Sequence, residues 1–209
     1  MTPIPHFYIS FTVMKKHFPF FKLIIGIIVC LIFLGNPNIA RSGKKPHDEI
    51  PTRYGLSAVL GRTFDPVNDI SFVQVSGFIM WDYERVWRHR ASDSLRFKVE
   101  TTAGTTTSPE IRAIVAVDMM ALYYLEPFPH PKIHPFIEGG VGLIYTDFQV
   151  EGQGLRFNAN PQIGIGTEFY VDSTPPFFMT IRLQHISNGG LHKDNRGVNS
   201  FVIMIGRFF

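Results

Sequence analysis

The chain has 209 residues, 45% of them hydrophobic and 18% charged, with one cysteine; this excludes a disordered chain and an internal disulfide framework. Phe 20, Gly 18 and Pro 15 suit strands and turns better than long helices. The formal charge of +3 traces to Lys15, Lys16 and Lys22, beyond which basic and acidic residues balance, so the basic pI carries no nucleic-acid reading.

Residues 14–40 carry a basic stretch, an apolar run over 23–34, and then Gly35, Asn36, Pro37 and the small residue Ala40. That is the layout of a secretory signal peptide. The run is shorter than the ~20 residues needed to span a bilayer as a helix, which leaves an uncleaved anchor as the alternative. Met14 is a candidate start, because the residues before it add nothing to the pattern. Cys30 follows Val29, which is not the small residue of a lipoprotein cleavage site. The expected organisation is a signal peptide over 1–40, a polar periplasmic leader over 41–53 and a β-barrel over 54–209.

Eight stretches bounded by Gly, Pro, Asn and Asp follow, approximately 54–64, 71–84, 93–104, 110–125, 133–147, 156–171, 177–189 and 197–208. They exceed the ~5–6 residues of ordinary soluble strands and suit membrane strands of ~9–11 residues plus extensions. Their side chains alternate. Leu95, Phe97, Val99 and Ala103 share one face with Thr101, while Ser94, Arg96, Lys98, Glu100 and Thr102 occupy the other. In the second stretch Val73, Val75, Gly77, Ile79, Trp81 and Tyr83 oppose Gln74, Ser76, Asp82 and Glu84, with Phe78 and Met80 as exceptions. A soluble sandwich also alternates. Strand length and aromatic residues towards strand ends (Trp81, Tyr83, Tyr123, Tyr145, Phe169, Tyr170) favour an all-β, eight-stranded antiparallel transmembrane barrel. The terminal Phe209 fits a bacterial outer-membrane assembly signal.

The chemistry gathers on the last hairpin. Phe177, Met179, Ile181 and Leu183 form an apolar face that continues to His185 and Ser187, and Phe201, Ile203 and Ile205 lead back to Asn199. A turn centred on His192 pairs position 185 with position 199, and directly opposed residues have Cβ atoms ~4.5–5.5 Å apart. Ser187, His185 and Asn199 can therefore converge, which suggests a serine nucleophile, a histidine base and a third group that orients it. The alternative is a wet hairpin end with ordinary loop residues. Eight strands put both termini on one side; with short turns on the periplasmic face, the turn at 190–196 points out of the cell. Its His192, Lys193 and Arg196 are candidate contacts for lipid phosphates.

At these residues the sequence resembles the PagL-type lipid A 3-O-deacylases, through His185-Ile186-Ser187-Asn188 and Asn195-Arg196-Gly197. The likeness extends over 134–142 and 157–166. The resemblance implies an outer-membrane serine esterase that removes an ester-linked 3-hydroxyacyl chain from lipid A of lipopolysaccharide, without a cofactor. It implies Ser187 as nucleophile, His185 as base, and Asn188, Gly189 and Gly190 as the oxyanion site. The family's acid, a Glu, falls at Asn199. An amide can orient a histidine but cannot offset the imidazolium charge, so a slower deacylase, a shifted specificity and an inactive barrel all stay open, with Asp194 as a substitute acid. On this reading Asn199→Asp leaves activity equal or higher. A homodimer also stays open.

His130, His134 and Glu138 would align as metal ligands on a helix, but Pro129, Pro131 and Pro135 preclude that helix, so no metal site is expected. Gly139, Gly140 and Gly142 fall within a strand rather than a phosphate loop. The competing function is a non-catalytic eight-stranded barrel for adhesion, binding or membrane stabilisation; a channel is disfavoured by the bulky, doubly charged inner face.

Overall fold

Alternating sequence becomes long antiparallel strands in the computed structural model, which describes residues 50–209 apart from 68, 88–89, 127–129 and 172–173. The expected signal peptide and most of the leader lie outside the described residues. The strands are β1 (Arg53–Asp65), β2 (Ser71–Asp82), β3 (Leu95–Ser108), β4 (Ala113–Tyr124), β5 (Ile133–Thr146), β6 (Phe157–Ala159), β7 (Gln162–Phe169), β8 (Phe177–Ile186) and β9 (Val198–Phe208). A one-turn helix, α1 (Tyr83–Trp87), follows β2 and ends the second stretch earlier than its alternation suggests.

Each strand pairs antiparallel with its neighbours, β1 pairs with β9, and β4 pairs with β5, so the sheet closes on itself and has no free edge. β6 and β7 are two parts of one barrel strand, because both keep the same register against β5: Leu143 opposes Ala159 and Gly140 opposes Gln162. The interruption falls at Pro161, which has no N–H to give to the ladder. The architecture is thus an eight-stranded antiparallel barrel. β3 runs beyond its expected end at 104 to Ser108, because Gly104 lies inside the ladder opposite Gln74 and Thr105 and Thr106 continue it opposite Val73 and Phe72.

Burial is inverted relative to a water-soluble protein. Leu143 and Ile165 on the outer face are 69% and 64% exposed, whereas Arg182 and Glu100 in the lumen are 2% and 1% exposed. Such a surface is stable against hydrocarbon, where the backbone must be internally paired and apolar side chains face outward. Aromatic rings mark both rims. Phe169 stacks on Phe177 with centroids 4.9 Å apart at the end where β1 begins and β9 finishes, and Phe64 and Phe201 lie 4.6 Å apart near the other.

The lumen is filled in layers. Phe78, Met80, Leu122, Phe136, Phe178 and Phe208 pack one end, which accounts for Phe78 and Met80 as apolar residues on a polar face. Val59, Phe72, Ile114, Ile144, Val202 and Met204 pack the other. Between them Arg182 forks onto Glu100 (2.7 and 3.0 Å) and gives its Nε–H to Glu138 (2.6 Å), while Lys98 donates to Glu138 (2.8 Å). Two cations thus meet two carboxylates, and a third buried carboxylate beside them, Asp118, accepts from the Asn160 amide (2.8 Å).

The connections after β2, β4 and β7 leave from the end where β1 begins and β9 finishes, and those after β1, β3, β5 and β8 leave from the opposite end. Their lengths overlap, so loop length does not tell the two ends apart as expected; the even number of strands only brings the start of β1 and the end of β9 to one end.

Because removing one partner leaves the remaining charges short of a counter-ion, Arg182→Met is expected to lower stability by about 3–5 kcal/mol. The urea midpoint of the folded barrel in detergent micelles measures this. Thr101→Val on the outer face is expected to shift it by under ~0.5 kcal/mol.

Candidate active site

The hairpin register is the expected one: His185 on β8 directly opposes Asn199 on β9. Both share the outward parity of Leu183 and Phe201, and the His185 imidazole lies with Nδ1 2.6 Å from Asn199 Oδ1. His185 is nevertheless only 9% exposed. The chain returning from the turn covers it at Gly197, where an added Cβ would stand 2.5 Å from His185 Cε1. Any side chain there would have to displace the imidazole, which gives the glycine of the Asn195-Arg196-Gly197 segment a steric reason.

Ser187 follows two positions after His185, on the same outer face by alternation, and is half-buried. A bridge to the sixth barrel strand holds it: its N–H donates to Ala159 O (3.1 Å) and its carbonyl accepts from Ala159 N–H (2.8 Å). His185 is anchored alongside, with its N–H donated to Pro161 O (2.9 Å).

Asn188 organises the turn. Its buried side chain donates to Asp194 O (2.8 Å) and accepts from Gly190 N–H (2.9 Å), while its own N–H donates to Asn195 Oδ1 (2.8 Å). The N–H groups of Asn188 and Gly190 are thereby engaged within the loop, and that of Gly189 is in none of these bonds. The loop also rests on the 147–156 connection. Arg196 N–H donates to Gly152 O (2.7 Å), and Gly154, at φ +72°, sits where a Cβ would meet Asp194 O at 2.3 Å.

The turn cations are placed unequally. His192 Nδ1 accepts from Asp194 N–H (3.1 Å), Lys193 is exposed, and Arg196 Nη2 pairs with Asp65 Oδ1 (2.8 Å). The Asp194 carboxylate faces His192, at 3.9 Å. The carboxylate at the histidine pair is instead Asp65, whose Oδ2 accepts from Asn199 Nδ2 at 2.8 Å. Strict alternation would turn Asp65 inward with Thr63. A register shift between Thr63 and Asp65 sets Asp65 opposite Asn199, so the row His185, Asn199, Asp65 crosses three adjacent strands. The sequence signal for it is slight, a β-bulge at the seam where the first strand meets the last.

An apolar-surfaced barrel closed upon itself, with a histidine, an amide and a carboxylate in line on its outer face, is an outer-membrane barrel protein. The family model described as lipid A 3-O-deacylase (PagL) matches residues 72–207, and the chain belongs to this family. Among solved structures, the outer membrane enzyme PagL is 22% identical with a TM-score of 0.51, over 73% of this chain and 97% of that one. Neisserial surface protein A is 11% identical with a TM-score of 0.55, over 75% and 95%. At these identities the likeness is one of fold. Comparison with the curated proteins finds no match. Asp65 precedes the matched segment.

Asn188→Ala would leave the Asp194 carbonyl and the Gly190 N–H without their partner, at a cost of about 1–3 kcal/mol to the loop. Hydrogen exchange is expected to rise at the 189–196 amides and to stay unchanged in the β2–β3 ladder.

Proposed function

We propose that the protein is an outer-membrane serine esterase that removes an ester-linked 3-hydroxyacyl chain from position 3 of lipid A, working from the barrel exterior. The observation that carries this reading is the His185–Asn199 hydrogen bond on the lipid-facing surface, two positions from a serine, within the segment matched by a deacylase family. Polar side chains on that surface are costly unless they work there or lie at the membrane boundary.

Ser187 Oγ attacks the ester carbonyl as His185 takes its proton. The tetrahedral oxyanion is met by backbone N–H groups of the glycine turn, Gly189 above all, while Asn188 supports that turn. Collapse expels the sugar 3-hydroxyl, which receives the proton from His185, and leaves an acyl-serine. Water activated by the same histidine then releases a 3-hydroxy fatty acid. With the start of β1 and the end of β9 placed towards the periplasm, the usual arrangement of even-stranded outer-membrane barrels, the site faces the outer leaflet, where lipopolysaccharide is the neighbouring lipid. Lys193 is the cation at hand for its phosphates, since Arg196 is paired with Asp65.

The fold alone does not select this activity, because a surface protein shares it. Lipid A from cells with and without the protein decides by mass. Loss of one 3-hydroxyacyl chain is expected, and an intact acyl pattern beside correctly folded protein would leave the non-catalytic barrel. Ser187→Ala and His185→Ala are each expected to lower the rate by about 10³-fold or more with unchanged heat-modifiable gel mobility.

Gly197→Ala tests the geometry more finely. Its methyl must push the imidazole aside, so a loss of about 10²-fold in kcat is expected without loss of the folded band.

A further inference from the structure

The deacylase reading leaves a chemical gap at Asn199, because an amide has no charge to offer the imidazolium that forms when His185 accepts the serine proton. We propose that Asp65, acting through the Asn199 amide, is the positioning residue that selects the His185 tautomer and supplies that charge; this rests on the esterase reading above.

The argument is one of donors and acceptors. An ionised carboxylate only accepts hydrogen bonds. Asn199 meets Asp65 Oδ2 at 2.8 Å, so the atom it presents there is its NH2 group. Its carbonyl oxygen must then face the other way, towards His185 Nδ1 at 2.6 Å. A carbonyl only accepts, so Nδ1 carries the proton and Nε2 is left with the lone pair that a general base needs. Asp65 is itself held by Arg196 at 2.8 Å on its other oxygen, which fixes the direction of the carboxylate. No proton moves along this row during the reaction. The proton from Ser187 goes to Nε2, the Nδ1–H stays bonded to Asn199, and Asp65 remains ionised. Replacing Asp65 by an amide removes the charge and also the instruction, because either end of that amide can face Asn199, which is then free to turn over and present NH2 to Nδ1.

This alters the expectation for Asn199→Asp. That variant would set a second carboxylate against Asp65 at hydrogen-bond distance, and like charges so close cannot both stay ionised. The informative variant is the exchange, Asp65→Asn with Asn199→Asp, which keeps one carboxylate and moves it into contact with His185.

The test uses the full-length protein in vesicles with purified lipid A. Asp65→Asn is expected to lower kcat by about 10²–10⁴-fold with KM within about twofold, as when a triad base is left in the wrong tautomer. The exchange variant is expected to regain at least tenfold over Asp65→Asn, a rescue that a purely structural role for Asp65 would not produce. Nitrogen-15 NMR of the His185 ring, assigned by His185→Ala, is expected to report the Nδ1–H tautomer in the unaltered protein and a mixture with Nε2–H in Asp65→Asn. Asp65→Asn with unaltered kcat and tautomer overturns the inference while the esterase reading stands. Unaltered protein that leaves lipid A intact, no differently from Ser187→Ala, overturns both.

Discussion

Hydrogen-bond closure of the sheet is the constraint from which the rest follows. Against hydrocarbon an unpaired N–H or C=O costs several kcal/mol, and the pairing of β4 with β5 and of β1 with β9 removes the last free edges. Once the sheet is closed, period-two alternation has only two destinations for a side chain, the lipid or a narrow lumen. Charged side chains in mid-strand go inside, where each needs a counter-ion or a hydrogen-bond partner, as Asp118 has in Asn160. Arg182, Lys98, Glu100 and Glu138 meet that condition together, flanked by aromatic and aliphatic layers that fill the remaining space.

The same rule makes the outer row at His185, Asn199 and Asp65 informative. It breaks the apolar pattern of three neighbouring strands at one level, just beyond the Phe64–Phe201 pair that marks the rim. At that level the loop over 187–197 folds back across the imidazole and is pinned by Asn188 and by the 147–156 connection. The arrangement gives polar side chains a fixed geometry at a boundary where neither water nor lipid alone would hold them. Strands carry the histidine, the amide and the carboxylate, and the loop covers the imidazole.

Much of this was legible in the sequence because a hairpin is a local object. Alternation on both arms of 177–208 and a turn centred on His192 lead directly to the His185–Asn199 pair, which is the observed register. Asp65 was not legible, for two physical reasons. Its contact with Asn199 is made across the barrel seam, far along the chain, and a bulge after Thr63 reverses the parity on which the reading relies. Pro161 misleads less: it interrupts the assigned strand without changing its register. Gly104 resembles a boundary and is not one, since the pairing of β2 with β3 continues past it. The glycine turn looks like an oxyanion site in sequence, whereas two of its N–H groups are spent on the loop's own order.

The departure at Asn199 gains a physical meaning from these placements. A carboxylate directly beside the histidine would stand on a lipid-facing strand, where an ion is costly to leave unpaired. An amide at that position is neutral. The charge sits one strand over, at a strand end, where Arg196 from the covering loop neutralises it. Under the proposed positioning role of Asp65 the loop therefore has a second task besides cover: it holds the counter-ion that lets a carboxylate remain at the rim. Covering His185 and orienting Asp65 fall to one short segment, because Gly197 and Arg196 are adjacent in it.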